Sequence, residues 1–234
     1  MKTVVMVPTY NEVSNIKLMI DEILNCGANA DVLIVDDMSP DGTYKIVEEI
    51  AKTNNKVYLL LRKEKKGRGY AGKDGFLKAL DMKADYIVEM DGDGSHSPRY
   101  IPEFLKTIEK ENCDVVIGSR YINGGKDEER SIVRQIASNF SRRYLSFILG
   151  VKIQDPTSGY RMFKRVALTK FVTELTARDP FIVTEVLYKI KENNLKVKEY
   201  PIIFLARFSG KSKLRLGTLI TYLFKVLKLK LTGR

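Results

Sequence analysis

The stretch Ala84-Asp85-Tyr86-Ile87-Val88-Glu89-Met90 carries an apolar strand pattern straight into Asp91-Gly92-Asp93-Gly94-Ser95-His96. Two carboxylates one residue apart therefore stand where the strand runs out. Pro98 then opens a helix pattern, which makes the unit strand, acidic turn, helix. Open α/β sheets bind ligands at the carboxyl ends of their strands, so position alone makes this turn a candidate site. Aspartates this close repel when ionised. A hard cation such as Mg2+ or Mn2+ relieves that repulsion and leaves coordination positions for phosphate oxygens. An EF-hand-like calcium loop is excluded, because it needs Gly at its sixth position and Glu at its twelfth, where this chain has His96 and Pro102. The plain alternative is a solvated Asp-Gly turn.

Working outward, Val4 to Val7, Val32 to Val35, Val57 to Leu61, Tyr86 to Met90 and Val115 to Ile117 are short apolar runs suited to strands buried on both faces. Helix patterns fall between them near 14–25, 41–53, 70–82 and 98–111. This alternation predicts a doubly wound, mostly parallel sheet flanked by helices. From about residue 120 the spacing predicts a helix near 131–149, a loop and strand near 153–163, two further helices and a strand near 197–206. No internal repeat or low-complexity linker divides the chain.

With 234 residues and 44% hydrophobic content, the chain can bury a full core. Cys26 and Cys113 have no metal or disulfide spacing, which fits a reducing, cytoplasmic setting. The amino terminus enters a strand directly, with an apolar run too short for a signal peptide. No run of 18 or more apolar residues is present to span a membrane. The net charge of +11 is uneven: after Glu199 there is no acidic residue, while Arg207, Lys211, Lys213, Arg215, Lys225, Lys228, Lys230 and Arg234 follow. Such a block meets phosphates, on a nucleotide or an anionic membrane surface in preference to nucleic acid. Leu214 to Leu231 has Leu216, Leu219, Ile220, Leu223, Leu227 and Leu231 at helical spacing among lysines. Two readings stay open for this basic amphipathic helix: lying in a membrane interface, or docking on the domain with its lysines in water.

Gly67-Arg68-Gly69-Tyr70-Ala71-Gly72-Lys73 has the glycine spacing of a dinucleotide fingerprint and most of a P-loop, but fails both in context. It follows the third strand rather than the first, and Asp74 stands where a P-loop needs Ser or Thr. These glycines are expected to permit a tight turn and close approach of backbone to a ligand across the sheet edge. The first strand ends in Pro8-Thr9-Tyr10-Asn11-Glu12 and the second in Val35-Asp36-Asp37-Met38-Ser39-Pro40-Asp41-Gly42-Thr43. Asp41 reads as a helix cap, and Asp37 as a partner for a base edge or ribose hydroxyl. Asp155 positions an acceptor, orients an arginine or caps a turn, Glu185 reads as a solvated helix residue, and a hard-cation phosphate site has no need of His96.

Taken together, Pro8-Thr9-Tyr10-Asn11-Glu12, the Val35 to Thr43 segment, Asp91-x-Asp93, Gly118-Ser119-Arg120-Tyr121 and Asp155-x-Thr157-Ser158-Gly159-Tyr160-Arg161 resemble the family 2 glycosyltransferases of GT-A fold. Within that superfamily the chain is most similar to the dolichyl-phosphate mannose synthases of the polyprenyl-phosphate glycosyltransferase group. The resemblance runs from about residue 2 to 215. It implies a Rossmann-like GT-A catalytic domain over 1–213, followed by the basic segment 214–234. It further implies that Pro8, Tyr10, Glu12, Val35 and Asp37 hold the guanine and ribose of GDP-mannose, with Gly92 against the nucleotide. Asp91, Asp93 and Ser95 fall at the positions for Mg2+ or Mn2+, and Asp91 and Asp93 also face the diphosphate. Arg120, Arg134, Arg207 and Lys213 match basic positions for donor diphosphate and acceptor phosphate, Arg134, Arg207 and Lys213 on the acceptor side.

The implied reaction is metal-dependent, inverting transfer of mannose from GDP-mannose to dolichyl or another polyprenyl phosphate. A phosphate acceptor is already ionised, so no catalytic base is needed. The enzyme must instead bring two anions together and stabilise the leaving diphosphate. UDP-glucose or UDP-N-acetylglucosamine are the alternative donors. The remote alternative is a non-catalytic nucleotide or nucleic-acid binding module. The expected location is the cytoplasmic face of a membrane, as a peripheral protein or one truncated from an anchored form.

Overall fold

The computed structural model describes residues 1–64, 66–128, 132–205 and 216–233, with only the backbone described at 132–139 and 216–220. Four parallel strands, β1 (Thr3–Thr9), β2 (Asp31–Asp36), β3 (Val57–Leu61) and β4 (Tyr86–Glu89), alternate with helices α1 (Ile16–Leu24), α2 (Thr43–Thr53) and α3 (Arg68–Asp81). After β4 come α4 (Ile101–Lys110), β5 (Val115–Ser119), the two-residue β6 (Lys126–Asp127) and α5 (Ile132–Leu149). The chain continues through β7 (Arg161–Lys164), α6 (Arg165–Leu168), α7 (Ile182–Glu192), β8 (Val197–Pro201), β9 (Ile203–Phe204) and α8 (Leu216–Thr232).

Seven strands form one sheet in the order β3-β2-β1-β4-β7-β5-β8, and β6 pairs with β9 outside it. The expected mostly parallel sheet is present, with one exception: β7 lies antiparallel between β4 and β5. The loop and strand expected near 153–163 are present, the strand being β7 at the far end of that range, and the strand expected at 197–206 divides into β8 and β9. Alternation along β1 sends Val4 and Met6 into one apolar layer and Val5 and Val7 into the other. α3, α5, α7 and α8 cover the first face, while α1, α2 and α4 cover the second. Both faces are buried, so these strands read as unbroken apolar runs. On α1, Ile16, Met19, Ile20 and Ile23 recur at helical spacing and are all buried. Each contributes roughly 1.5–3 kcal/mol.

Of the two readings open for the C-terminal helix, α8 shows docking on the domain, joining the core through Val226, and Leu229 is also buried. Tyr144 on α5 donates to the Leu223 carbonyl, and the Tyr222 and Thr184 hydroxyls share a hydrogen bond that links α8 to α7. Its outer side is apolar as well as basic: Phe224 and Leu231 are exposed beside Lys228 and Lys230, as is Phe147 on α5. Among the described residues no helix is long and apolar enough to cross a membrane.

Candidate active site

The carboxyl ends of β1, β2, β4 and β5 open on the same edge of the sheet, and hydrogen bonds lace their loops together. Asp36, fully buried, accepts from the Thr9 hydroxyl at 2.8 Å and from the Ser39 amide and hydroxyl at 2.7 Å each. Ser39 Oγ accepts from the Asn11 amide, Thr43 Oγ1 from the Glu12 amide and Asp41 from the Val13 amide, so the Tyr10 to Val13 loop hangs on the loop after β2. Asp41 also accepts from the Thr43 amide at 2.9 Å, capping α2 from one residue before the left-handed Gly42.

Within this frame Pro8 is the last residue but one of β1, Tyr10 is exposed and Glu12 accepts from Asn15. The Val35 side chain is fully buried in the layer beneath α3. Asp37, expected to face a ligand, is buried with protein partners: Arg62 donates to one carboxylate oxygen and the Gly67 amide to the other at 2.6 Å. The glycine-rich turn differs from its expectation. A side chain at Gly69 would stand 2.2 Å from the Ala177 carbonyl oxygen, so these glycines let α3 approach the chain's own 177–178 backbone. Lys73 donates to the Thr173 and Leu175 carbonyls, away from any P-loop role.

That 176–178 loop is held by Glu185, which accepts from the Thr176 amide and hydroxyl and the Ala177 amide at 2.8 to 2.9 Å. Glu185 is buried, which corrects its reading as a solvated residue. The missed signal lies in α7, where 182, 185, 186 and 190 share one helical face, so Glu185 sits on the apolar stripe.

The acidic turn packs on the end of β1: a side chain at Gly92 would stand 3.2 Å from Thr9 Cγ2 and 3.5 Å from the Pro8 carbonyl oxygen. Asp93 Oδ1 accepts from the buried Ser95 through its amide at 3.1 Å and its hydroxyl at 2.5 Å. His96 anchors the other aspartate, because its Nδ1 accepts from the Asp91 amide at 3.0 Å. Its ring stacks on Tyr160 and meets Phe204 edge-on. Burial holds its pKa below the ordinary value, against the pull of Asp91 and Asp93, so the imidazole is neutral with the proton on Nε2. The 3.9 Å separation between Nδ1 and the Asp91 carboxylate is accordingly not an ion pair. Two carboxylates beside a hydroxyl form an all-oxygen donor set suited to Mg2+ or Mn2+. Among the described residues no third His, Cys, Asp or Glu joins them.

Arg120, just past β5, is nearly buried, and its guanidinium donates to both oxygens of Asp155 at 2.7 Å and to Thr157 Oγ1 at 2.8 Å. Burial alone would raise the pKa of Asp155, but Arg120 outweighs it and holds the carboxyl below its ordinary range. The Glu199 carboxylate accepts the Gln154 and Asp155 amides and fixes the loop from β8. Of the remaining cations, Arg134 lies on α5 with its side chain outside the described residues, and Arg207 and Lys213 lie wholly outside them.

Comparison with known proteins agrees with this architecture. Residues 4–172 match Glycosyl transferase family 2. Polyprenol monophosphomannose synthase of Mycolicibacterium smegmatis is 33% identical over 235 residues, spanning 100% of this chain and 88% of that protein. Undecaprenyl-phosphate mannosyltransferase of Micrococcus luteus is 32% identical over 218 residues, spanning 93% of this chain and 89% of that protein. Glucosyl-3-phosphoglycerate synthase from Mycobacterium tuberculosis, solved with Mn2+, UDP-glucose and phosphoglyceric acid, has the same fold, with a TM-score of 0.72 at 17% identity over 98% of this chain and 79% of that one.

Proposed function

The chain belongs to glycosyl transferase family 2, and on that premise we propose that it moves mannose from GDP-mannose to dolichyl or a related polyprenyl phosphate, with inversion, at the cytoplasmic face of a membrane. The observation that carries this reading is the match over the full chain to a polyprenol monophosphomannose synthase, joined to an edge where the Asp91 turn packs against the end of β1.

In this reading Pro8, Tyr10, Glu12, Val35 and Asp37 form the nucleoside end of the donor site, Val35 as part of its floor. Arg62 and the Gly67 amide hold the Asp37 carboxylate in place. Asp91 and Asp93 hold a divalent cation with the Ser95 hydroxyl beside them. Such a cation, when bound, supplies charge neutralisation for the departing diphosphate. An acceptor phosphate oxygen attacks the anomeric carbon as the bond to GDP breaks. The acceptor is ionised before it arrives, so neither aspartate has to remove a proton. Arg134, Arg207 and Lys213 bind that acceptor phosphate. Arg120, expected at the diphosphate, instead works as a positioning residue, because Asp155 and Thr157 occupy its guanidinium.

A lipid-linked acceptor asks for a membrane surface, and the exposed Phe224 and Leu231 beside Lys228 and Lys230 on α8, with the exposed Phe147 of α5, suit an anionic interface. The donor is tested by incubating the protein with polyprenyl phosphate, Mn2+ and each radiolabelled donor in turn. Label should reach lipid from GDP-mannose. Transfer from UDP-glucose or UDP-N-acetylglucosamine, and not from GDP-mannose, overturns the mannose assignment.

A further inference from the structure

Arg68 occupies the first turn of α3, and its NH2 atom lies 2.8 Å from Glu89 Oε1 and 3.5 Å from Asp91 Oδ1. One guanidinium thus bridges a carboxylate buried in the sheet to one at the mouth of the site: the Glu89 side chain is 1% exposed and that of Asp91 38%. Gly72 leaves room for the bridge, since a Cβ there would stand 3.0 Å from Arg68 NH1. In the neighbouring strand Arg161 pairs in register with Glu89 and is itself fully buried, donating to the Val183 carbonyl at 2.8 Å. Burial brings Arg161 down to about 10, which leaves it charged at neutral pH.

A strand buried on both faces has no structural need of a carboxylate at its end. Burying charged groups costs stability even when they are paired. Some of this polar capacity is unspent, because Glu89 Oε2 and Arg68 NH1 have no hydrogen-bond partner among the described residues. The set therefore makes more sense as a device for placing positive charge on Asp91 than as a stabilising pair.

Resting on the reading of Asp91 as a cation ligand, we propose that Arg68 is a positioning residue that acts through Asp91 as a tethered counter-ion, making divalent-cation binding depend on arrival of the donor diphosphate. Glu89 keeps the guanidinium from leaving, so a cation entering alone meets a resident positive charge beside its own ligand. A nucleoside diphosphate brings enough negative charge to satisfy both. By linkage the cation then tightens nucleotide binding by the same factor that nucleotide tightens cation binding.

The test uses the full chain with Mn2+, GDP and UDP as probes. Mn2+ affinity alone is read from the electron paramagnetic resonance signal of the free ion. Coupling is read from the affinity for fluorescent GDP and UDP analogues with and without Mn2+. Arg68→Gln should bind Mn2+ alone about tenfold more tightly than the unaltered protein, as expected from a single and a double charge roughly 6 Å apart in water-like surroundings. Its coupling should shrink by a similar factor, and Arg68→Lys should restore both. The double variant R68Q/E89Q removes both charges together and should repeat the Arg68→Gln result with an intact circular dichroism spectrum. Unchanged Mn2+ affinity and coupling in Arg68→Gln and in the double variant overturn the proposal. An unaltered protein that binds no Mn2+ with or without either nucleotide overturns the cation reading of Asp91, and the counter-ion role with it.

Discussion

Replacing Arg120 by Met strips the counter-ion from a carboxylate that has no exposure. Asp155 would lose two guanidinium bonds of 2.7 Å and keep, among the described residues, the amide of residue 120 at 3.0 Å and the Thr157 hydroxyl at 3.0 Å. Breaking one side of a buried ion pair costs about 3–5 kcal/mol, a large part of the roughly 5–15 kcal/mol that holds a domain folded. The pH dependence carries the diagnosis. In the unaltered protein Asp155 titrates below its unfolded value, so its contribution is full above the ordinary carboxylate range and is lost as pH falls through the lowered folded value. In Arg120→Met the guanidinium that offsets most of the burial is gone, and the folded value rises above the unfolded one, about 3.9. The penalty is then complete at neutral pH and shrinks on acidification. Urea unfolding followed by circular dichroism at pH 7.5 and pH 5 measures both effects, and R120M/D155N, which removes the stranded charge, should recover part of the loss. A loss under about 1 kcal/mol at pH 7.5, or one that grows as pH falls, would refute the reasoning.

Two further perturbations probe the site and its surroundings. His96→Phe keeps a ring against Tyr160 and Phe204 but deprives the Asp91 amide of its acceptor; urea unfolding should show a loss of about 1–3 kcal/mol, and a change too small to measure would remove His96 as the anchor of the acidic turn. Replacing Phe147, Phe224 and Leu231 together with Ser should weaken sedimentation with anionic liposomes while leaving the melting temperature close to unchanged, because all three side chains are exposed; undiminished binding would count against this face as the membrane contact.

The runs at Val4 to Val7, Val32 to Val35 and Val57 to Leu61 were legible because burial on both sheet faces leaves an unbroken apolar record. β7 was legible only as a strand following a loop near 153–163, since its four residues, Arg161-Met162-Phe163-Lys164, carry too little pattern to fix its bounds, and its antiparallel place between β4 and β5 is set by contacts distant in sequence. The strand-end motifs could be read as candidates because acids and turn residues at the close of apolar runs are local signals. Their partners were harder to see. Arg62 reaches Asp37 from 25 positions away and Arg120 reaches Asp155 from 35, and spacing along the chain does not reveal such pairs. Even so, one of the readings left open for Asp155, that it orients an arginine, describes the contact observed. Metal ligation alone gives His96 no role in a hard-cation site. Its contact is a backbone amide five residues back, a local capping arrangement that the Asp-Gly turn could have suggested.

The central claim, sugar transfer to a lipid phosphate at the Asp91 turn, is tested most directly by transfer itself. Radiolabelled GDP-mannose, Mn2+ and polyprenyl phosphate vesicles are incubated with the unaltered protein and with Asp91→Ala, and label is counted in the organic extract. The account predicts label in lipid with the unaltered protein, and at least a hundredfold less with Asp91→Ala at an unchanged melting temperature, on the order of what loss of one transition-state charge contact costs. Lipid labelling by Asp91→Ala at the unaltered rate would contradict it.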